Sequence, residues 1–404
     1  MASTRTLAIG FMPLVDACLP ILAQEHGFAE EEGLALHFMR DVSWATVLDR
    51  LLYGHTDAAH MLAPLAIATT LGRGRPAQPL AAPFVLGLNG NAITLRKDLA
   101  ASVCPPGQFG DPAAVGAALR EEARAALAAG RRLRLGVVHR YSSHNYMLRY
   151  WLAACGLRPD EQVEIVTVAP PFVADALASG EIDGACVGEP WSSVSVERDV
   201  GTIVLATAQI WRRGVEKVLA MRQPVMEARR EETGALIRAM RQAGRHFVDP
   251  ANWAVNAAIL ARPEYLDADE ALIERAISDR LVLGHGGEPV HYADFMFQYS
   301  EAANFPWASQ AAWLYSQMVR WDGFAFDHDQ ARLAAGVFRP DVYRSAIKGT
   351  GDDIPSANSK VEGSVSRQTQ VGTQEGSITL SANRFFDGHS FDPDNIPGYL
   401  QDLD

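Results

Sequence analysis

The chain has 404 residues, 48% of them hydrophobic, with 48 acidic against 36 basic side chains and a formal net charge of -12. That length fits two buried cores better than one, and the acidic balance argues against a nucleic-acid or anionic-membrane surface, which needs clustered Lys and Arg. An anion can still be held, but only by donors gathered locally against the overall field.

In chain order, Leu7-Ala8-Ile9-Gly10 opens a strand directly after Met1-Ala2-Ser3-Thr4-Arg5. No charged segment, apolar run and small-residue cleavage site precede it, so the start reads as mature sequence of a cytoplasmic protein. Apolar runs stay short of the roughly 18 residues of a membrane span. A helix then ends at Gly27-Phe28, followed by the strand Leu34-Ala35-Leu36-His37-Phe38, a helix over 43–53 and the turn Gly54-His55-Thr56-Asp57 into Ala58-Ala59-His60. On the helix, Trp44, Val47, Leu48, Leu51 and Leu52 recur at the spacing of one apolar face. Ser43 or Asp41 is expected to cap its start, and Gly54 to close it.

The same order returns further on. Leu133-Arg134-Leu135-Gly136 is followed by a helix ending at Cys155-Gly156-Leu157 and the strand Val163-Glu164-Ile165-Val166-Thr167-Val168. A helix over 172–179 and the turn Gly180-Glu181-Ile182-Asp183 then lead into Gly184-Ala185-Cys186-Val187. Gly10 to Asp57 and Gly136 to Asp183 are equally spaced, and Gly54 and Gly180 share a register. Each unit reads β-α-β-α-β, a parallel sheet with crossover helices. Two α/β lobes are expected, one from residues 1–92 with 215–404 and the other from 93–214. Beyond about residue 225 the chain turns helix-rich, while 349–377, without an aromatic residue and rich in Gly, Ser, Thr and Gln, reads as a surface excursion.

Enzyme signatures are missing: there is no G-x-x-x-x-G-K-[ST] loop, no G-x-S-x-G elbow and no H-E-x-x-H pair, and Gly72-Arg73-Gly74-Arg75 does not continue into a dinucleotide fingerprint. Cys18, Cys104, Cys155 and Cys186 show neither C-x-x-C spacing nor a close His, so reduced thiols are expected, with no metal and no cofactor. What the sequence does offer is donors at loop ends and helix starts. Ser142-Ser143-His144-Asn145-Tyr146 combines hydroxyls, an imidazole and a helix N-terminus; the plain alternative is a serine cap with a half-buried histidine. Gly188, in Val187-Gly188-Glu189-Pro190-Trp191, permits close approach of a ligand to the backbone, or simply turns a strand into a helix. Lys217 lies in the apolar run Val215-Glu216-Lys217-Val218-Leu219 and reads either as a site cation or as a snorkelling strand residue. Asn91 is a site donor or a turn residue, and Trp44 a pocket wall or core.

These segments, taken in order, carry a resemblance. Gly10-Phe11-Met12-Pro13-Leu14, Ser43-Trp44-Ala45, Asp57-Ala58-Ala59-His60-Met61-Leu62-Ala63-Pro64 and Leu88-Asn89-Gly90-Asn91-Ala92-Ile93-Thr94 open the series. Ser142-Ser143-His144-Asn145-Tyr146, Val187-Gly188-Glu189-Pro190-Trp191, Glu216-Lys217-Val218-Leu219 and Phe385-Phe386-Asp387-Gly388 complete it. Over nearly its whole length the chain resembles the nitrate- and bicarbonate-binding proteins of bacterial ABC transporters, and most closely their cytosolic sensor relatives of the NasS type.

The resemblance implies a two-lobed, periplasmic-binding-protein-like fold of type II, with the ligand in the cleft between lobes. It implies that Trp44 lines the pocket, His144 donates to a ligand oxygen, Gly188 offers its backbone N–H, and Lys217 supplies positive charge; Asn91 matches a position where relatives carry Gln. Bicarbonate-binding relatives resemble this pattern with a carboxylate and calcium in place of the lysine, so Lys217 implies nitrate or nitrite without metal. For a cytosolic member the resemblance implies a sensor that holds an RNA-binding antiterminator (NasT-like) and releases it when the anion binds. The alternative is the exported nitrate-binding component of an ABC transporter. Thiamine-precursor synthases of the same fold rely on a cysteine-rich cluster that this chain does not reproduce, so a non-enzymatic role is expected.

Overall fold

The computed structural model describes residues 5–352, 354–373 and 376–403. Two sheets organise it. The first joins β1 (Arg5–Phe11), β2 (Leu34–Arg40), β3 (Ala58–Leu62), β4 (Leu80–Asn89) and the later strand β10 (Val215–Arg222) with a short strand Met296–Phe297, in the order Met296–Phe297, β4, β10, β3, β1, β2. The second joins β5 (Asn91–Leu95), β6 (Leu133–Val137), β7 (Val163–Thr167), β8 (Gly184–Gly188) and β9 (Thr202–Ala206), in the order β7, β6, β8, β5, β9. In each, three parallel strands linked by crossover helices (β1–β3 and β6–β8) are met by antiparallel strands. This is a two-lobed α/β fold.

The repeat read from sequence has a physical basis. Gly54 and Gly180 both take positive φ, 78° and 72°, and close the helices Trp44–Leu52 and Val173–Ala178, a conformation that glycine adopts without a Cβ penalty. Asp57 N donates to Ala8 O while its carboxylate accepts from Ala8 N at 2.9 Å. In the other lobe Asp183 N donates to Arg134 O and its carboxylate accepts from Arg134 N at 2.7 Å. Each Asp therefore clamps the end of its crossover to the first strand of its unit. Gly136 leaves room for the residue before its Asp, since a Cβ there would come within 3.2 Å of Ile182, whereas a Cβ at Gly10 would make ordinary contact with Thr56 at 3.5 Å.

The helix Trp44–Leu52 buries Trp44, Val47, Leu48 and Leu51, as its spacing predicts. Ser43 occupies the N-cap position as expected, but without a side-chain bond to the helix, and Asp41 instead accepts from Arg50 at 2.8 Å. A cation at 50 within reach competes for the carboxylate and wins.

The chain passes from one sheet to the other at Gly90, since Asn89 ends β4 and Asn91 already pairs with Gly188 in the second sheet. It returns through 207–214. Asn89, at φ 62°, binds both passages together: its backbone N–H donates to Gly214 O, its Oδ1 accepts from Gly214 N, and its Nδ2 donates to Arg212 O. Asn tolerates this left-handed conformation better than other branched residues.

The C-terminal segment reaches the second lobe and the passage leading out of it. Asn383 accepts from Trp211 Nε1 at 3.0 Å, and Asp387 accepts from Tyr150 Oη at 3.0 Å. The stretch 349–377 is anchored, unlike a passive excursion. Within it Glu362 is fully buried and accepts from Ser309, Lys360 and Asn383, and Thr369–Gly372 pairs with Ser377–Leu380 as a hairpin. Polar composition concealed this, because the anchor is itself a satisfied buried carboxylate. Among the described residues no helix is long and apolar enough to cross a membrane.

Candidate functional site

Lys217 sits in β10, between β3 and β4, and is completely buried. Adjacent strand residues normally face opposite sides of a sheet. Here the pairing of β10 with β4 shifts register on both sides of Lys217, a bulge of the kind that re-aims side chains next to binding sites. Glu216 and Lys217 consequently meet each other, and Lys217 Nζ also donates to Asp16 Oδ2 at 2.8 Å. Asp16 comes from the turn Val15–Ala17 after β1. Its other oxygen accepts from His60 Nε2 at 2.8 Å, and His60 Nδ1 in turn accepts from Met12 N at 3.4 Å. That fixes His60 as the neutral Nε2–H tautomer.

Trp44 and His144 complete this group. The Trp44 ring lies 5.4 Å from Lys217 Nζ and 5.3 Å from the His60 ring, within cation–π range of the ammonium. His144, from the other lobe, places Nδ1 3.2 Å from Glu216 Oε1, but without the alignment of a hydrogen bond. Both ring nitrogens of His144, Glu216 Oε1, Trp44 Nε1 and the neighbouring Ser143 Oγ are buried with no hydrogen-bond partner among the described residues. Ser142, the residue before, is an ordinary N-cap accepting from Asn145 N at 3.1 Å. The helix Ser143–Ala154 thus begins at the site, with its N-terminal dipole turned toward it.

Asn91 and Gly188 face each other across β5 and β8. A Cβ on Gly188 would lie 3.0 Å from Asn91 Oδ1 and 3.3 Å from Leu14, so glycine is what lets the two lobes approach here. Asn91 Oδ1 is another buried atom without a partner among the described residues. Cys186, two residues before Gly188 on β8, lies close enough to Lys217 to feel its charge. The structure therefore gathers Trp44, His144 and Lys217 at one cluster and sets Asn91 against Gly188 beside it.

Electrostatics follow from the burial. Desolvation opposes charge on Asp16, yet Lys217 and His60 outweigh it and hold the carboxyl below the usual range. Burial pulls the Lys217 ammonium down, with Asp16 opposing. Burial, reinforced by Lys217, drives His144 well below an ordinary imidazole, so it is neutral. His60 is lowered by burial as well, against the pull of Asp16. Among the described residues no group of three or more His, Cys, Asp or Glu is arranged to hold a metal ion.

Asp16, His60 and Glu216 were not singled out as site residues from sequence. Asp16 had a visible signal, because it is the single charged residue in the run 7–23. Glu216 had none, because its reach into the site depends on the bulge.

The lobes are closed over these groups. Val15 N donates to Glu189 O at 2.9 Å and Trp191 Nε1 donates to Pro13 O at 2.9 Å, both from one lobe to the other. The site is buried between the two sheets and lined by convergent polar groups, a setting suited to small ligands.

Comparisons with known proteins agree with that architecture. The chain is 29% identical over 410 residues to the nitrate/nitrite binding protein NrtA of Synechococcus elongatus, covering 99% of this chain and 86% of the relative. It is 31% identical over 349 residues to the nitrate import ATP-binding protein NrtC of Synechocystis, covering 85% of this chain and only 50% of that longer relative. The crystal structure of the periplasmic nitrate-binding protein NrtA from Synechocystis superposes over 100% of this chain and 99% of its own, with a TM-score of 0.86 at 26% identity. The alkanesulfonate-binding protein SsuA of Xanthomonas axonopodis, at a TM-score of 0.58 and 14% identity over 84% of this chain and 99% of its own, shares the fold. Residues 1–261 match the NMT1-like family, and the chain belongs to that family, with the two-lobed periplasmic-binding-protein fold of the nitrate- and sulfonate-binding proteins.

Proposed function

We propose that this chain is a binding protein, not an enzyme, that captures nitrate or nitrite between its lobes as the solute-binding component of an ABC transporter. The observation that carries the reading is the convergence of Lys217, Trp44 and His144 from two lobes on one buried cluster, in a fold superposable over its full length on a nitrate-binding protein. A planar monoanion offers only acceptors. The indole N–H of Trp44, the imidazole N–H of His144, the Ser143 hydroxyl, the backbone at Gly188 and the amide of Asn91 would meet its oxygens, with Lys217 supplying the charge.

A second reading keeps the same cleft but makes the protein a cytoplasmic sensor that releases an RNA-binding antiterminator when the anion binds. The relatives reported above include a nitrate import protein and a periplasmic nitrate-binding protein, which favours the transporter reading. The two part on a partner assay: a complex with an antiterminator that nitrate dissociates supports the sensor, and a complex with transporter membrane subunits supports transport. The ligand itself is tested by titration calorimetry with nitrate, nitrite, bicarbonate and sulfate, with and without calcium. Calcium-independent binding of nitrate or nitrite is expected; binding of bicarbonate alone, dependent on calcium, would overturn the assignment.

A further inference from the structure

The cluster sets two carboxyl groups on a single lysine. Asp16 and Glu216 both pair with the one ammonium of Lys217. The remaining titratable groups facing them are His60 from β3, His144 from the helix Ser143–Ala154, the Cys186 thiol from β8 and the Cys18 thiol beside Asp16. Burial pushes the Cys186 thiol up to about 12 and raises Cys18 as well, so neither carries charge. With both imidazoles neutral, two carboxyl groups share one ammonium. A monoanion would add a negative charge that this shared ammonium does not balance, where Lys217, His60 and His144 have no exposure at all, and burying an unpaired charge is strongly unfavourable.

We infer that His144 and Glu216 form a proton-accepting pair that takes up one proton as the anion enters, which makes Glu216 a specificity-determining residue of the site. The inference rests on the anion-binding reading above. A proton from solvent adds to the free ring nitrogen of His144; the imidazolium then forms an ion pair through Nδ1 with Glu216 Oε1, 3.2 Å away, and donates through Nε2 to the ligand. Nδ1, Nε2 and Glu216 Oε1, three of the buried atoms without partners among the described residues, are then all engaged. The cluster keeps its original net charge, and the anion beside His144 adds an attraction for the charged ring that offsets the burial and the Lys217 charge holding it neutral. The pair favours a fully ionised anion that presents only acceptors. A ligand carrying its own O–H would satisfy Glu216 directly and need no proton.

Proton uptake makes affinity rise as pH falls, by up to about tenfold per pH unit between the titration points of the free and bound pair. The test is calorimetry with potassium nitrate in Tris, imidazole and bicine, whose ionisation heats differ, repeated between about pH 6 and pH 9. Uptake of about one proton per nitrate is expected for the wild type, and none for Glu216→Gln, whose affinity should hardly change with pH. Nitrate binding to the wild type without proton exchange overturns the inference and leaves the nitrate reading standing. Equal uptake in the wild type and Glu216→Gln overturns the role of Glu216. The absence of nitrate binding at every pH overturns the nitrate reading, and the inference with it. The wild-type proton count decides the matter even where Glu216→Gln fails to fold.

Discussion

Lys217 serves two carboxylates at once, and that decides what its removal does. Truncation would take away the positive charge expected to hold the anion and leave Asp16 and Glu216 buried without a cation. Breaking a buried pair from one side costs about 3–5 kcal/mol, because the orphaned charge stays behind. Lys217→Ala is therefore expected to lose nitrate binding and also to unfold at markedly lower urea, a dual effect that a peripheral binding lysine would not show. A variant as stable as the wild type would mean that Asp16 and Glu216 are not both ionised. The sequence made Lys217 visible as a polar residue in an apolar run, and Trp44 and His144 visible through their motifs. It left Asp16, His60 and Glu216 out of the site, because their roles come from contacts across strands and from a local break in strand pairing that periodicity does not encode.

Among the elements, the paired clamps at Asp57 and Asp183 carry the repeat. Each accepts from a strand backbone N–H and meets at least one arginine, Arg229 for Asp57 and Arg96 and Arg131 for Asp183. Asp57→Ala and Asp183→Ala are each expected to cost about 1.5–3 kcal/mol, the range for hydrogen bonds to charged groups. The clamps lie in different lobes, so their effects in the double variant should add to within about 0.5 kcal/mol; chemical denaturation of the three variants checks this. Strand and helix order within each unit was legible because Gly and Asp recur at fixed offsets on a two-residue or 3.6-residue pattern. Ser43 holds the N-cap position as expected, without a side-chain bond, while Asp41, the other candidate, is drawn to Arg50, a tertiary preference that local sequence does not rank.

For the whole molecule, closure and folding both carry a pH signature. Burial at the interlobe contact raises the Glu189 carboxyl from 4.5 to about 7, and burial raises Asp279 from 3.8 to about 7. A carboxyl raised in the folded state keeps its proton where the unfolded chain has released it, so stability falls as pH climbs from the ordinary carboxylate range toward about 7. Asp16 works in the opposite sense, but its contribution is complete above the ordinary carboxylate range and is lost only in stronger acid. Against the carboxyl decline, the imidazoles His60, His139, His144 and His246, lowered by burial, add stability as pH rises toward their ordinary value. The carboxyl effect is therefore read by difference: the urea midpoint of the wild type relative to that of Glu189→Gln should decline with pH through this window, the share due to Asp279 being common to both. A second prediction concerns the closed state. Asp322, at the end of the helix Ala308–Asp322, accepts from Tyr146 Oη at 2.9 Å and pairs with Arg140 at 3.2 Å, both in the other lobe. Asp322→Ala should bias the lobes open and weaken nitrate binding by roughly threefold to tenfold, with a larger radius of gyration by small-angle scattering in the absence of anion. Unchanged affinity and dimensions would place closure elsewhere.

Because Glu216 and Lys217 are consecutive, a regular strand would present just one of them to the cleft and turn the other to the far side of the sheet. The bulge is what admits both. Which of the two side chains a cleft receives is thus set by the phase of one strand against its neighbour as much as by the residues themselves.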